Sequence, residues 1–329
     1  MISQNENFRK CRLVFAGGTP WSADFLKLLI CEGFLVVGTL TKPDSKKGRG
    51  QKMASNLVKE EAQKLKIPVL APLSLKDPQF LSEFKKWQAD LVVVVAHGKI
   101  FPKEILDLPK KGFVNFHPSL LPALRGPSPI ASAILEGLSE TGVSIMKLGV
   151  GMDDGPVFLR KKVKIVRGET TETLTKKLIA VGEKMLVKVL KDYLDGNLKP
   201  VPQTKKGVSF SKIILKEEGQ VDWKKDEAKL IDRKIRAFGG SIKVFSNFSK
   251  NDKTKRVNFL ESGGVVKSQD KKKMKVGEFE ITTKNQQKSL LIKTKKDFLM
   301  VAKLQVEGKN PVFPEEFEQG YEGGKFVNF

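Results

Sequence analysis

The sequence predicts an α/β domain built on a mostly parallel sheet, followed by a small antiparallel β-barrel domain, and three observations predict it. Short apolar runs rich in β-branched residues alternate with segments of helical periodicity through the first part of the chain. A long amphipathic pattern then ends at the stop signal Asp195-Gly196-Asn197. Beyond residue 215 the texture changes to brief apolar runs set between Gly, Asn and Lys clusters, the pattern of a small antiparallel barrel or sandwich.

Taken in order, residues 11–16 read as a buried strand. The Gly17-Gly18-Thr19-Pro20 turn follows, then Phe25, Leu28 and Leu29 at helical spacing, so the chain opens as a β-α-β unit. Leu35–Leu40 is a second strand, and Leu57, Val58, Ala62 and Leu65 mark a helix face. Leu91–Val95 is an unbroken β-branched run, as expected of a parallel strand covered on both faces. Residues 113–116 add a strand, and residues 130–135 suit a helix after a proline-rich loop. Thr171–Leu194 carries Leu174, Leu178, Met185, Val189, Leu190 and Tyr193 on one stripe, a long amphipathic helix. Pro200, Pro202, Lys205, Lys206 and Gly207 have the composition of a basic linker. The expected organisation is an α/β domain over residues 1–199, a linker over 200–214 and a β-barrel over 215–329. Within the last, the one helix expected is Ala228–Phe238, with strands near 243–245, 257–260, 279–283, 289–293 and 298–304.

Charge narrows the partners. Sixty Lys and Arg stand against 37 Asp and Glu, a net +23, and the excess is densest beyond residue 200. That balance points to a polyanion, with a lysine-rich solvated surface as the plain alternative. Only Cys11 and Cys31 are present and no apolar leader precedes the first polar stretch, so a reducing, cytoplasmic setting is expected. No apolar run approaches the roughly 20 residues of a membrane helix. No membrane contact is expected, and a monomer is.

The chain holds two histidines, His97 and His117. His117 ends the run Val114-Asn115-Phe116-His117, and strand alternation puts Asn115 on the same face, at the carboxyl end where open α/β sheets hold ligands. A histidine so placed is more often a structural hydrogen-bonder than a catalyst, and Asn115 alone shifts that balance little. Downstream, Gly149-Val150-Gly151-Met152-Asp153-Asp154-Gly155 is a glycine-framed acidic turn, which a plain β-turn would also explain.

Together these segments resemble the formyltetrahydrofolate-dependent formyltransferases. The resemblance is carried by Asn115-x-His117, by Ser119-Leu120-Leu121-Pro122 running on to Arg125-Gly126, and by Asp153-x-Gly155. Phe15-Ala16, Thr19-Pro20, Thr41-Lys42-Pro43-Asp44 with Gly48-Arg49-Gly50, Asp222-Trp223 and Ile235-Arg236-Ala237-Phe238 are similar to the branch acting on methionyl-tRNA. The resemblance spans nearly the whole chain. It implies a Rossmann-like catalytic domain and an OB-like carboxyl-terminal barrel that binds tRNA. The formyl donor would be 10-formyltetrahydrofolate, the acceptor methionyl-initiator tRNA, and no metal would be needed.

In this resemblance Asn115 and His117 are donors to the oxyanion formed when an amine attacks the formyl carbon, and Asp153 orients the imidazole and assists proton transfer. Ser119, Leu120, Leu121 and Pro122 carry over as folate contacts, with the 94–98 and 151–155 turns lining the pterin pocket. Lys46, Lys47, Arg49 and Lys52 belong to a basic loop that in the family reaches the tRNA acceptor stem; read without the resemblance, the loop is better explained as solvated surface. Three features depart from the family pattern: the doubled Gly17-Gly18, His97 where tyrosine is common, and Gly239-Gly240-Ser241 where an Asn-Pro-Trp run is usual. A dinucleotide-binding dehydrogenase is disfavoured because no G-x-G-x-x-G spacing follows the first strand.

Overall fold

The computed structural model describes residues 7–47, 52–54, 56–239, 242–267, 274–284 and 287–328. They form two compact units. One comprises Met1–Pro129, Thr141–Val163 and Lys177–Ser211; the other comprises Ile130–Glu140, Lys164–Lys176 and Lys212–Phe329.

The elements begin with α1 (Asn7–Lys10), β1 (Arg12–Gly17), α2 (Ser22–Cys31) and β2 (Leu35–Leu40). A hairpin of β3 (Ser45–Lys47) and β4 (Lys52–Ala54) precedes α3 (Leu57–Lys64), β5 (Val69–Leu70) and α4 (Pro78–Lys86). Then come β6 (Leu91–Val95), α5 (Lys103–Leu106), β7 (Phe113–His117), α6 (Pro129–Glu136), β8 (Glu140–Lys147), β9 (Val157–Lys164) and α7 (Thr171–Leu194). The sheet runs β5-β2-β1-β6-β7-β8-β9. Neighbours from β5 to β7 are parallel, and β8 pairs antiparallel with β7. The chain winds outward from β1 on one side and returns to β6 on the other, so the strand order reverses between them. The carboxyl ends of β1, β6 and β7 therefore border a crevice at the switch point, where ligands of such sheets sit.

Every residue of β6 is buried, as its uninterrupted branched run requires. Val14, Ala16, Leu40, Val92, Val94 and Phe113 pack with Phe80, Phe84, Phe101 and Ile105. On β7, Phe116 meets Phe25 at 5.0 Å and Trp21 at 5.8 Å between ring centroids. The same ring lies over Gly182 of α7, where a Cβ would stand 2.0 Å from it. That glycine lets a bulky strand residue and a helix backbone share one layer.

The second unit contains α8 (Ala228–Phe238), β10 (Val244–Lys250), β11 (Lys253–Val266), β12 (Phe279–Lys284), β13 (Gln287–Lys293), β14 (Phe298–Val306), β15 (Pro311–Val312), α9 (Pro314–Tyr321) and β16 (Lys325–Val327). Its antiparallel sheet runs β12-β13-β14-β11-β10-β16, with β15 beside β14. The Phe326 N–H donates to the Gly277 carbonyl at 2.9 Å, linking β16 to the segment that leads into β12 and curling the sheet into a small barrel. Its core is aromatic, with Phe248, Phe317 and Phe326 in mutual contact. Helix α9 adds to the single helix expected here. Its inward face is Pro314, Phe317 and Tyr321, a stripe confined to eight residues, while Pro at the first turn and the Phe313 N–H bonded to Glu316 mark its start. The Gly239-Gly240-Ser241 departure falls at the end of α8, and Gly240 and Ser241 lie outside the described residues.

Candidate active site

The last residue of β7 presents His117 at the crevice, 4% exposed, with Asn115 at 8% on the same strand face. The His117 Nε2 donates to the Leu124 carbonyl at 3.0 Å. A carbonyl can only accept, so that hydrogen bond fixes the proton on Nε2 and leaves Nδ1 as the nitrogen able to exchange a proton. Nδ1 stands 3.6 Å from Asp153 Oδ2. The same carboxylate oxygen accepts the Gly126 N–H at 2.8 Å. Asp153 has φ of +47° and Leu124 of +55°, so both residues that orient the imidazole sit in left-handed backbone. Aspartate tolerates that region better than most residues.

The loop after His117 is pinned from β8. Ser144 Oγ donates to the Ser119 carbonyl at 2.7 Å and accepts the Leu121 N–H at 3.1 Å. Arg160 Nε donates to the Leu121 carbonyl at 2.6 Å. Ser119 is fully buried with its hydroxyl donated to the Ala123 carbonyl. The Leu121 side chain packs with Met146 and Val157, and that of Leu120 lies over Gly142. Of the four residues expected at the folate, Ser119 and Leu121 thus face inward with their backbone groups engaged by His117, Ser144 and Arg160, while Leu120 and Pro122 are partly exposed. Exposed Val150 and Met152 on the acidic turn supply apolar surface of the kind a flat pteridine packs on.

Across the crevice Ala96 and Gly98 both have positive φ, and the 94–98 turn comes within touching distance of Gly18, where a Cβ would stand 2.7 Å from the His97 carbonyl. The second glycine of the doubled pair is thus demanded by a close backbone approach. The His97 ring is 1% exposed and stacked on Phe101 at 5.1 Å, turned into the core. Burial, helped by the Lys42 and Lys99 cations, drives its pKa down to about 4, so it is neutral.

The basic loop begins at the carboxyl end of β2, on the same sheet edge as His117. Lys46 and Lys47 lie on β3 and Lys52 on β4, with Lys47 paired to Lys52. Arg49 lies outside the described residues. The hairpin's neck is tied: Asp44 accepts the Asn56 N–H at 3.2 Å and Lys59 Nζ at 2.6 Å, and Asn56 Oδ1 caps α3 through the Val58 N–H.

The tract from 200 to 211, part of the 200–214 segment read as linker, is laced to the turns that hold Leu124 and Asp153. Val201 bridges Val157, and Phe210 bridges Arg125. Gln203 donates to the carbonyls of Asp153 and Gly155 and accepts from Arg125. Sequence reasoning missed Gln203, Ser209 and Ser211; the Ser-Phe-Ser alternation was the one signal that this segment pairs like a strand.

Residues 11–190 match the formyl transferase family, and residues 213–322 match the C-terminal domain of formyl transferases. The chain belongs to the formyl transferase family. The methionyl-tRNA formyltransferase of Myxococcus xanthus is 42% identical over 227 residues, 69% of this chain and 72% of that protein. That of Caldanaerobacter subterraneus subsp. tengcongensis is 35% identical over 274 residues, 81% and 89% respectively. Among solved structures, an N-formyltransferase from Helicobacter canadensis in complex with folinic acid and dTDP-3-aminofucose has a TM-score of 0.61 at 18% identity, covering 88% of this chain and 98% of that one. That likeness is one of fold.

Proposed function

We propose that this enzyme transfers the formyl group of 10-formyltetrahydrofolate to the amino group of methionyl-initiator tRNA, acting as a single chain in the cytoplasm. The observation that carries the reading is the identity to methionyl-tRNA formyltransferases, which reaches over most of their length and into both units. The site geometry supports the chemistry. Attack of the amine on the formyl carbon gives a tetrahedral centre with an oxyanion and an ammonium. Asn115 offers an amide N–H to the oxyanion, where one preorganised donor is worth about 3–4 kcal/mol. His117 Nε2 is committed to Leu124, so the proton moved from the ammonium toward the departing N10 passes through Nδ1, beside Asp153. Pro122, Leu120, Met152 and the backbone of the 94–98 turn would hold the folate, and the basic loop with Lys46, Lys47, Arg49 and Lys52 would contact the tRNA, as would the basic second unit.

The test is formylation of methionyl-initiator tRNA by the purified chain with 10-formyltetrahydrofolate. Formylmethionine is expected, and His117→Ala should lower kcat by about a hundredfold or more while tRNA still binds. Formylation of an amino-sugar nucleotide with none of the tRNA would overturn the reading.

A further inference from the structure

We infer that Gln203 and Ser209 are positioning residues for the His117–Asp153 pair, and that the 201–211 segment is a working part of the active site. The inference rests on the catalytic reading of that pair, and deepens it.

The segment reaches Asp153 directly and His117 through Leu124. On the carboxylate side, Gln203 Nε2 donates to the Asp153 carbonyl at 2.8 Å and to the Gly155 carbonyl at 2.7 Å. Its Oε1 accepts from Arg125 Nη2 at 2.8 Å and Nε at 3.3 Å. These bonds span the turn in which Asp153 holds a left-handed φ, the conformation that aims Oδ2 at both the Gly126 N–H and His117 Nδ1. On the imidazole side, Ser209 Oγ accepts the Leu124 N–H at 2.9 Å, and the Ser209 carbonyl accepts the Arg125 N–H at 2.9 Å. Leu124 is the residue whose carbonyl fixes His117 Nε2, again in left-handed backbone. Ser211, 5% exposed, continues the lacing: its N–H donates to the Arg125 carbonyl and its Oγ accepts the Ser128 N–H.

The side-chain chemistry is selective. Position 203 must donate twice to carbonyls and accept from a guanidinium within one group, which a primary carboxamide does and neither a carboxylate nor an ammonium can. Glutamate would keep the shape and the Arg125 contact while turning lone pairs toward two carbonyl oxygens. Glutamine and serine otherwise pass for ordinary residues of a linker, and half-burial among exposed neighbours is the mark that separates them. The 3.6 Å gap between Nδ1 and Oδ2 is therefore set by two anchors about half a dozen residues apart on one strand-like segment.

The experiment uses the full chain, with steady-state kinetics on both substrates and ring ¹⁵N spectra, which the presence of two histidines makes assignable. Gln203→Glu should lower kcat by roughly tenfold to a hundredfold with KM for folate and tRNA nearly unchanged, as expected for misplacement of reacting groups. Ser209→Ala should lower kcat and allow the His117 ring to exchange between tautomers, and Ser209→Thr, which restores a hydroxyl, should recover both. A Gln203→Glu enzyme with wild-type kcat overturns the inference, as does a change confined to KM or a Ser209→Ala ring spectrum identical to wild type. If the wild-type chain formylates a different amine, that amine serves for the same kinetics, so a failure of the acceptor assignment is distinguishable. If instead His117→Ala turns over normally, the catalytic reading has failed, and the tautomer measurement still decides whether Ser209 positions the ring.

Discussion

His97 shows how a single buried ring makes stability depend on pH. In the unfolded chain it titrates near 6.5, and in the folded protein near 4, because burial and two nearby lysines disfavour its charge. Between those values the unfolded state holds the proton and the folded state does not, so stability falls as pH drops through this window and is fully retained above it. The gap corresponds to about 3 kcal/mol at its acid end. Replacing the ring by His97→Phe, which keeps the stack on Phe101, should flatten the dependence. Urea midpoints measured at several pH values between about 7.5 and 4.5 check this: an unchanged slope in the variant would remove His97 as the cause. The same residue illustrates what sequence reading leaves out. His117 and Asn115 were legible because strand alternation and a strand end dictate where they point. For His97 the sequence offered an unusual residue at a turn, and it is the burial of the ring and its stack on Phe101 that show it swung inward.

At the scale of elements, helix α7 was readable to the residue, since its stripe recurs from Leu174 to Tyr193, over about five turns, yet the reason for a glycine within it was not. Gly182 faces Phe116, one residue before His117. Alanine is ordinarily the better helix former by about 1 kcal/mol. Here its Cβ would have to displace a ring wedged against Trp21 and Phe25, and overpacking of that kind costs about 1–3 kcal/mol. Gly182→Ala should thus lower the thermal midpoint and also reduce kcat, because the displaced residue shares a strand with Asn115 and His117. A rise in Tm would mean that the propensity gain outweighs the clash. In the second unit β10 to β14 were legible as apolar runs between polar clusters, although each extends beyond its run, as β11 does over Lys253–Val266, and the two- and three-residue strands β15 and β16 were not. Segment 200–211 was legible as proline- and lysine-rich but not as a partner of the Leu124 and Asp153 turns, because its pairing is made by backbone groups and by Gln203, Ser209 and Ser211, whose partners lie far away in the chain.

Over the whole molecule the net charge of +23 sets the behaviour toward a polyanion. Each phosphate neutralised releases counterions, so raising salt from roughly 50 to 200 mM should increase KM for tRNA by an order of magnitude or more, whereas KM for the small folate should move little. Initial rates over that range provide the measurement, and parallel changes in both constants would argue against an extended basic contact with the tRNA.

The division into units carries a consequence for how the chain is made. The first unit is complete once Ser211 has been synthesised, but the second draws on Ile130–Glu140 and Lys164–Lys176 as well as Lys212–Phe329. Two of its pieces leave the ribosome well before the rest, and must wait for the last residues before they have their own unit to join. Assembly cannot proceed strictly one unit after the other, and a fragment beginning at Lys212 would start its folding with those two pieces missing.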